Sequence, residues 1–218
     1  MKISFYIDAF NLYYGSLRGT PHKWLNLREF CRRSFPGDEV GRIRYFTARI
    51  QANPHDPDKH MRQGTYLRAL QTLPSLTIHE GRYISKAVTM PLHPIPAPPT
   101  PATIVKVVKS EEKGSDVNLA SYLLIDAFDD DFEGAVVVSN DSDLAEPIRL
   151  VRTRFKRRVI VLHPCSRPGR GRSIELRKAA GLRAGKPSLI VREDLLATSQ
   201  FPPIMTDGAG TLHKPSNW

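Results

Sequence analysis

The chain has 218 residues, of which 40% are hydrophobic and 25% charged, and its 32 Lys and Arg against 22 Asp and Glu give a formal charge of +10. This balance indicates a globular protein with a sizeable core and excludes a disordered or collagen-like chain. No apolar run approaches the ~18 residues of a membrane-spanning helix, so we expect a cytoplasmic protein that does not enter a membrane. Cys31 and Cys165 lie far apart in the sequence and predict neither a disulfide framework nor a zinc site.

Strand-like and helix-like segments alternate along the chain. Ile3–Ile7 is a short apolar run that predicts a buried strand ending at Asp8. Gly134–Ser139 is the clearest strand because it is continuous and β-branched, and Val117–Phe128 predicts a well-buried helix. The other predicted elements are strands over 42–50, 76–83, 158–162 and 188–191, and helices over 24–33, 56–73 (with Asp56 as a cap), 144–155, 174–180 and 193–197. This alternation predicts right-handed βαβ units and a mainly parallel sheet.

Two segments depart from the alternation. Six prolines lie within Met90–Thr103, which predicts a stiff insert in a domain over residues 1–197. Such an insert is either an exposed loop, a strap over a ligand, or a docking site for a protein partner or a second copy of the chain. Residues 198–218 are rich in Pro, Gly, Ser and Thr, so we expect a weakly ordered C-terminal tail.

Charge is distributed unevenly. Residues 110–146 contain 11 acidic residues and one basic residue, whereas residues 151–192 contain 13 basic residues and one acidic residue. The basic surplus favours a polyanionic partner, of which nucleic acid is the commonest, although a solvated surface would explain it equally well. Carboxylates concentrated in one region of a basic protein are consistent with a site for a divalent cation.

Acidic residues fall where parallel α/β sheets bind ligands, outside the carboxyl ends of strands. Asp8 ends the first strand, Asp141 and Asp143 follow the strongest strand, and Asp116 begins the most buried helix. Oxygen ligands without a nearby Cys or His pair favour Mg²⁺ or Mn²⁺ over zinc. Asp116 and Asp143 could instead cap helices, and Asp141 could belong to a turn. Asp8 directly follows an apolar strand and therefore needs a partner.

Three motifs combine these residues: Asp8-Ala-Phe-Asn11, Lys113-Gly-Ser-Asp-Val117 and Ser139-Asn-Asp-Ser-Asp-Leu144. Together they resemble the signatures of NYN domains, which are PIN-like nucleases, here of the LabA-like branch. The resemblance covers residues 1–196 and implies a PIN-like three-layer α/β/α sandwich with a mainly parallel central sheet. Asn140 stands where the family often has Gly, and Asn tolerates the left-handed backbone that Gly usually supplies.

The resemblance implies a metal-dependent ribonuclease that hydrolyses phosphodiester bonds. Asp8, Asp116 and Asp141 would be the metal ligands, Asp143 would be a fourth or outer member, and Asn11 would support Asp8 or contact substrate. One or two Mg²⁺ or Mn²⁺ ions would lower the pKa of a bound water and neutralise charge on the phosphate. The alternative is an inactive nucleic-acid-binding or protein-binding module on the same fold, which we would expect to have lost some of the four aspartates.

The basic residues predict nucleic acid as the partner, and the resemblance to NYN domains favours RNA. A phosphatase with an aspartyl nucleophile is disfavoured because position 10 is Phe10, where that chemistry usually has a second Asp. A dinucleotide enzyme is disfavoured because no G-x-G-x-x-G turn follows the first strand. Tyr13 and Tyr14 could stack on a base or pack in the core, and we interpret His163 as structural. The candidate nucleic-acid-binding residues are Lys113, Arg154, Lys156, Arg167, Arg170 and Arg172.

Overall fold

Helices and strands alternate through a computed structural model that describes residues 1–52, 55–94, 103–165, 171–182, 188–216 and 218. The strands are β1 (Lys2–Asp8), β2 (Glu39–Ala48), β3 (Leu76–Pro91), β4 (Ile104–Lys113), β5 (Gly134–Val138), β6 (Arg158–His163), β7 (Leu189–Ile190), β8 (Ile204–Asp207) and β9 (Gly210–His213). The helices are α1 (Ala9–Leu12), α2 (Leu27–Ser34), α3 (Lys59–Gln71), α4 (Ser115–Phe128), α5 (Ala145–Thr153), α6 (Ile174–Ala179) and α7 (Glu193–Thr198). Within these described ranges, every helix is too short or too polar to cross a membrane.

Seven strands form one twisted sheet in the order β4-β3-β2-β1-β5-β6-β7. All neighbours in this sheet are parallel except β3 and β4, which are antiparallel. The chain builds outward from β1 through β2 to β3, and later returns to the other side of β1 with β5. The strand order therefore reverses between β1 and β5, and ligands of open α/β sheets bind at such a switch point.

Side chains alternate between two cores, one on each face of the sheet. In β1, Ile3, Phe5 and Ile7 pack against α2, α3 and α7, whereas Tyr6 points to the face covered by α4, α5 and α6. The apolar β5 is buried along its whole length because helices cover both of its faces. The architecture is thus a three-layer α/β/α sandwich with a mainly parallel sheet, which confirms the fold class predicted from the sequence.

Several helix limits differ from the prediction because capping decides them locally. The first long helix begins at Leu27 rather than near Trp24, since the Asn26 side chain accepts a hydrogen bond from the Glu29 amide (3.1 Å). The predicted cap Asp56 is wrong: α3 begins at Lys59, and the Asp56 carboxylate accepts from the Arg62 guanidinium at 2.6 Å instead.

The Pro-rich insert belongs to a long β-hairpin, which the sequence analysis missed. Strand β3 continues to Pro91 instead of ending near Tyr83, and β4 returns beside it, pairing from Arg82↔Lys113 to Pro91↔Ile104. Of the expected loop over 90–103, Met90 and Pro91 belong to β3, the Leu92 amide donates to the Thr103 carbonyl (2.7 Å), and residues 95–102 lie outside the described residues. The prolines predicted a loop, although β-branched residues alternate on both sides of the Pro-rich segment.

The C-terminal segment is not the weakly ordered tail that we expected. Strands β8 and β9 form an antiparallel hairpin that packs on α3, and Leu212 is buried. The Arg68 guanidinium donates to both carboxylate oxygens of Asp207 at 2.8 Å, which fixes the hairpin to α3. The Trp218 ring meets Trp24 edge-on, with 6.3 Å between centroids, so the end of the chain contributes to the core.

Candidate acidic site at the carboxyl edge of the sheet

Asp8 lies at the end of β1 and is almost completely buried, with 3% of its surface exposed. One carboxylate oxygen accepts from the Asn11 amide (2.9 Å), so that Asp8 caps α1. The other oxygen accepts from the Asn11 side-chain amide (2.6 Å) and from the Ser139 hydroxyl (2.9 Å). All of these donors are neutral, so the negative charge of Asp8 is oriented but not compensated by them.

The segment after β5 brings Asp141 to the same edge. The Ser139 hydroxyl that donates to Asp8 also accepts from the Asp141 amide (3.1 Å), so a single side chain joins the two aspartates. The Asp141 carboxylate accepts from the amide of Asp143 (3.0 Å) and begins a 3₁₀ turn over Ser142–Leu144. Asp141 is therefore the residue that caps this turn, and Asp143, for which a capping role was the alternative, is exposed.

Asp116 reaches the site in the first turn of α4. Its position depends on Gly114, whose φ of +101° is a left-handed conformation that favours glycine. The Glu112 carboxylate accepts from the Ser115 amide (3.1 Å) and the Ser115 hydroxyl (2.7 Å) and so holds the start of the helix. The cap is thus supplied by Gly114 and Glu112, which leaves the half-buried carboxylate of Asp116 available to the site.

The carboxylates of the acidic site affect one another's pKa. Burial and then the charges of Asp8, Asp141, Glu112 and Asp143 raise the pKa of Asp116 from 3.8 to about 7. Burial also raises the pKa of Asp8, against the hydrogen bonds from Asn11 and Ser139 that lower it. The carboxylates are therefore close enough to disfavour one another's ionised form.

These residues fit a divalent cation by the chemistry of their donors. The set is made of carboxylate, amide and hydroxyl oxygens, which Mg²⁺ and Mn²⁺ prefer, and its uncompensated charge would be stabilised by a cation. Across the residues that the structure describes, no three His, Cys, Asp or Glu side chains converge closely enough, as they stand, to hold a metal ion. A cation would therefore have to draw the carboxylate oxygens together by changes of rotamer.

The predicted nucleic-acid-binding residues fall in different places. Arg172 is exposed and lies between Gly171, whose carbonyl accepts from the Asn140 side-chain amide (3.0 Å), and Ser173, whose amide donates to the Asn140 side-chain oxygen (2.8 Å). It therefore stands beside the acidic site. Lys113 is also near the site, just before Gly114, and its ammonium lies 3.3 Å from a carboxylate oxygen of Glu111.

Arg154 and Lys156 are not brought to the acidic site. Both are exposed and lie between the end of α5 and the start of β6. Since α5 begins at the carboxyl edge of the sheet and runs away from it, these side chains stand at the opposite, amino edge. Any RNA bound at the acidic site would have to extend around the sheet to reach them. Arg167 and Arg170 lie outside the described residues.

Tyr13, Tyr14 and His163 have distinct surroundings. The two tyrosines meet edge-on (5.2 Å between centroids) and are 36% and 45% exposed, so they do not lie in the core. His163 is fully buried, and its Nδ1 lies 2.9 Å from the side-chain oxygen of Asn140. Burial, with Arg172 and Arg177, lowers its pKa to about 4. A neutral His163 thus holds Asn140 in place.

Sequence reasoning did not single out Ser139, Glu112 and Asn140 as members of the site. Ser139 joins Asp8 to Asp141, Glu112 fixes the start of α4, and Asn140 anchors the segment around Arg172. Ser139 and Asn140 stood in the quoted third motif, so their place beside Asp141 was the available signal. Glu112 gave no such signal because its part depends on the turn at Gly114.

The fold and the site together define a class: a three-layer α/β/α protein with an acidic site where its parallel sheet switches direction. The NYN domain model matches residues 2–182. The chain therefore belongs to the NYN domain family, as the three sequence motifs predicted.

Two known proteins resemble the chain over most of its length. The 6-hydroxy-3-succinoylpyridine 3-monooxygenase HspA of Pseudomonas putida is 31% identical over 241 aligned positions, which cover 100% of this chain and 75% of that protein. The crystal structure of a protein of unknown function from Vibrio parahaemolyticus is 17% identical, with a TM-score of 0.53, and the match covers 88% of this chain and 94% of that one. The second likeness is one of fold alone.

Proposed function

We propose that the protein is a metal-dependent nuclease that hydrolyses phosphodiester bonds, with RNA as its substrate. The observation that carries the proposal is the placement of Asp8, Asp141 and Asp116 at the switch point, where burial and then the charges of Asp8 and Asp141 raise the pKa of Asp116 to about 7. Neighbouring ionised carboxylates repel one another and lower the stability of the fold unless a bound cation compensates their charge. Membership of the NYN family, whose fold is that of PIN-like nucleases, also supports a nuclease function.

Asp8, Asp116 and Asp141 would hold the Mg²⁺ or Mn²⁺ ion, and Asp143 would stand at its outer side. When bound, such an ion supplies a water of lowered pKa and neutralises charge on the phosphate. Asn11 and Ser139 fix the orientation of the Asp8 carboxylate through the hydrogen bonds already described. Arg172 would contact the phosphate backbone beside the site.

Cleavage of end-labelled single-stranded RNA, with DNA of the same sequence alongside, tests the proposal. The protein is incubated with Mg²⁺, Mn²⁺ or EDTA, and the Asp141→Asn variant is run in parallel. Loss of outer partners of a metal costs ~10–100-fold in activity, so loss of a direct ligand should lower the rate about 100-fold or more. Asp129→Asn is the matched control, because Asp129 is an exposed aspartate at the far end of α4.

Each result has a distinct meaning. Metal-dependent cleavage that persists in Asp129→Asn and disappears in Asp141→Asn would support the nuclease. RNA that binds but stays intact with every metal would favour the inactive binding module. Unfolding of both Asp8→Asn and Asp141→Asn, seen by circular dichroism, would mean that the carboxylates are structural.

A second candidate function is oxygenation of a small aromatic compound. It is favoured by the 31% identity, over the whole chain, to a protein named as a 6-hydroxy-3-succinoylpyridine 3-monooxygenase. Incubation with 6-hydroxy-3-succinoylpyridine, air and a nicotinamide reductant, followed by chromatography, tests it. Oxygen-dependent consumption of the pyridine without any cleavage of RNA would replace the nuclease with this function.

A further inference from the structure

A cavity of about 570 Å³ lies beside the acidic site, on the face of the sheet covered by α3. Its walls come from α1 and the turn after it, the end of β2, the first half of α3 and the base of the β3–β4 hairpin. The volume is in the range of pockets that hold small ligands (~300–1,000 Å³). We call this cavity the aromatic pocket, for the side chains Phe10, Tyr13, Tyr14, Tyr45, Tyr66 and Tyr83 that line it.

Rings at the mouth of the aromatic pocket offer a surface for a flat ligand. Phe10 of α1 and Tyr83 of β3 meet edge-on, with 5.9 Å between centroids. Tyr14 is 45% exposed although it lines the pocket. Aromatic faces that are neither packed in the core nor scattered singly are the surfaces on which bases and other planar rings stack.

One side of the pocket is positively charged. Among the described residues of the lining, Lys23, Lys59 and Arg62 stand against one carboxylate, Asp56, which pairs with Arg62. These three cations and one anion leave an excess of two positive charges. Burial lowers the pKa of Lys23, and Arg62 lowers it further. Three cations held beside partly buried rings favour a ligand that carries negative charge.

The pocket lies next to the acidic site. Ala9 and Phe10, which line it, directly follow Asp8 in the chain. Tyr45, also in the lining, pairs in the sheet with Ile7, the residue before Asp8. A ring seated among the aromatic side chains would therefore lie close to the acidic edge.

We propose that the aromatic pocket binds a planar aromatic ring that carries an anionic group. Two sources offer this chemistry: a nucleotide of a single-stranded nucleic acid, and a free aromatic acid. The ring would stack at Tyr14 and Tyr83, and the anion would lie toward Lys59. The proposal goes beyond the proposed nuclease function and does not depend on it, because ligand binding is measured without cleavage.

Isothermal titration calorimetry with two probes separates the sources. Uridine 5′-monophosphate represents the nucleotide, and pyridine-3-carboxylate represents the free aromatic acid. Uridine, which lacks the anion, and cyclohexanecarboxylate, which lacks the aromatic ring, are the matched control ligands. We expect at least one probe to bind. Cyclohexanecarboxylate should bind about tenfold more weakly than the pyridine probe, since stacking of one base is worth roughly that factor or more, and uridine should bind more weakly than its monophosphate because it lacks the anion.

Variants at the mouth of the pocket test the placement. Tyr14→Ala should weaken binding about tenfold, whereas Tyr14→Phe should keep it because the ring remains. Lys59→Ala should weaken binding of both anionic probes and of cyclohexanecarboxylate, but not of uridine, which lacks the anion. Phe128→Ala and Lys86→Ala are the matched controls, because Phe128 and Lys86 are exposed on α4 and β3 and do not line the pocket.

Binding of the uridine probe alone would assign the pocket to nucleotides, and binding of the pyridine probe alone would assign it to free aromatic acids. Either result, or binding of both, supports the proposal if Tyr14→Ala weakens it. No binding of either probe at millimolar concentration, or equal binding by Tyr14→Ala and Phe128→Ala, would overturn it. A protein that binds a probe but cleaves no RNA would keep this pocket while losing the proposed nuclease function.

Discussion

Asp8 and Asp126 are both only 3% exposed, but their surroundings differ completely. Asp126 is in α4, where the Arg44 guanidinium donates to both of its oxygens at 2.6 and 2.7 Å. The Tyr6 hydroxyl donates to it at 2.6 Å. Its charge is therefore neutralised and its lone pairs are occupied, as a buried carboxylate requires for stability.

Asp8 has hydrogen bonds of similar length but only from neutral donors. Its charged neighbours, Asp116 and Asp141, are themselves carboxylates. The difference shows what each region contributes. The Asp126 cluster holds β2 and α4 together and is complete in itself, whereas the acidic edge is held in place by Asn11 and Ser139, and under the proposed function a bound cation would compensate its charge.

The largest expected effect is the loss of the arginine from the complete cluster. Arg44→Met would leave Asp126 buried without its bidentate partner, and breaking a buried pair in this way costs about 3–5 kcal/mol. We expect the free energy of unfolding, measured by urea denaturation, to fall by this amount. Arg49→Met is the matched control, because the Arg49 side chain is 55% exposed and pairs with Glu80 at the surface, where an ion pair is worth ~0–1 kcal/mol.

A double substitution sharpens this test. Arg44→Met combined with Asp126→Leu removes both charges and should recover most of the lost stability, since an apolar pair can replace a buried ion pair. Equal costs for Arg44→Met and Arg49→Met would contradict the view that the buried pair holds the sheet to α4.

The acidic edge should show the opposite dependence on charge. The pKa of Asp116 is about 7 in the folded protein against an ordinary 3.8, so between these values the folded chain binds the proton more tightly than the unfolded chain. Stability from this group is therefore present below pH 4 and is lost as pH rises toward 7. With solvent screening of this half-buried group, we expect a loss of about 1–2 kcal/mol.

Urea denaturation in EDTA at pH 5 and pH 8 measures this dependence. Asp116→Asn should remove the loss and be more stable than the natural chain at pH 8. Mg²⁺ should also raise the stability of the natural chain at pH 8, because an ion that binds only the folded state stabilises it. If Asp116→Asn instead loses stability at pH 8, the carboxylate is stabilising and the two regions do not differ in the way described.

The acidic edge could be predicted from the sequence because it obeys a rule of topology. Asp8 and Asp141 each follow an apolar strand, and the carboxyl ends of parallel strands share one edge. No comparable rule leads to the pair of Arg44 and Asp126, which lie 82 residues apart and meet only because β2 and α4 pack together. Long-range pairs of this kind depend on packing geometry that hydrophobic periodicity does not contain.

The hairpin and the basic residues show two further limits. Backbone pairing between β3 and β4 extends as far as Pro91, although the prolines predicted a loop, so β3 is longer than predicted. Arg154 and Lys156 were predicted to bind nucleic acid from the charge of their segment alone. The alternation of strands and helices already places them at the amino edge of the sheet, because residues between a helix and the next parallel strand lie there.

The smallest expected effect compares two exposed arginines at opposite edges of the sheet. Arg172 stands beside the acidic site and Arg154 at the far edge. Binding of fluorescently labelled single-stranded RNA to the Asp141→Asn protein is measured by polarisation between about 50 and 200 mM salt. Each phosphate contact to a single strand contributes ~0.7 to the slope of log affinity against log salt. Arg172→Ala should therefore reduce the slope by about that amount, while Arg154→Ala leaves it unchanged. Equal reductions in both variants would mean that RNA extends around the sheet to both edges, and a reduction only in Arg154→Ala would remove the acidic edge from the RNA interface.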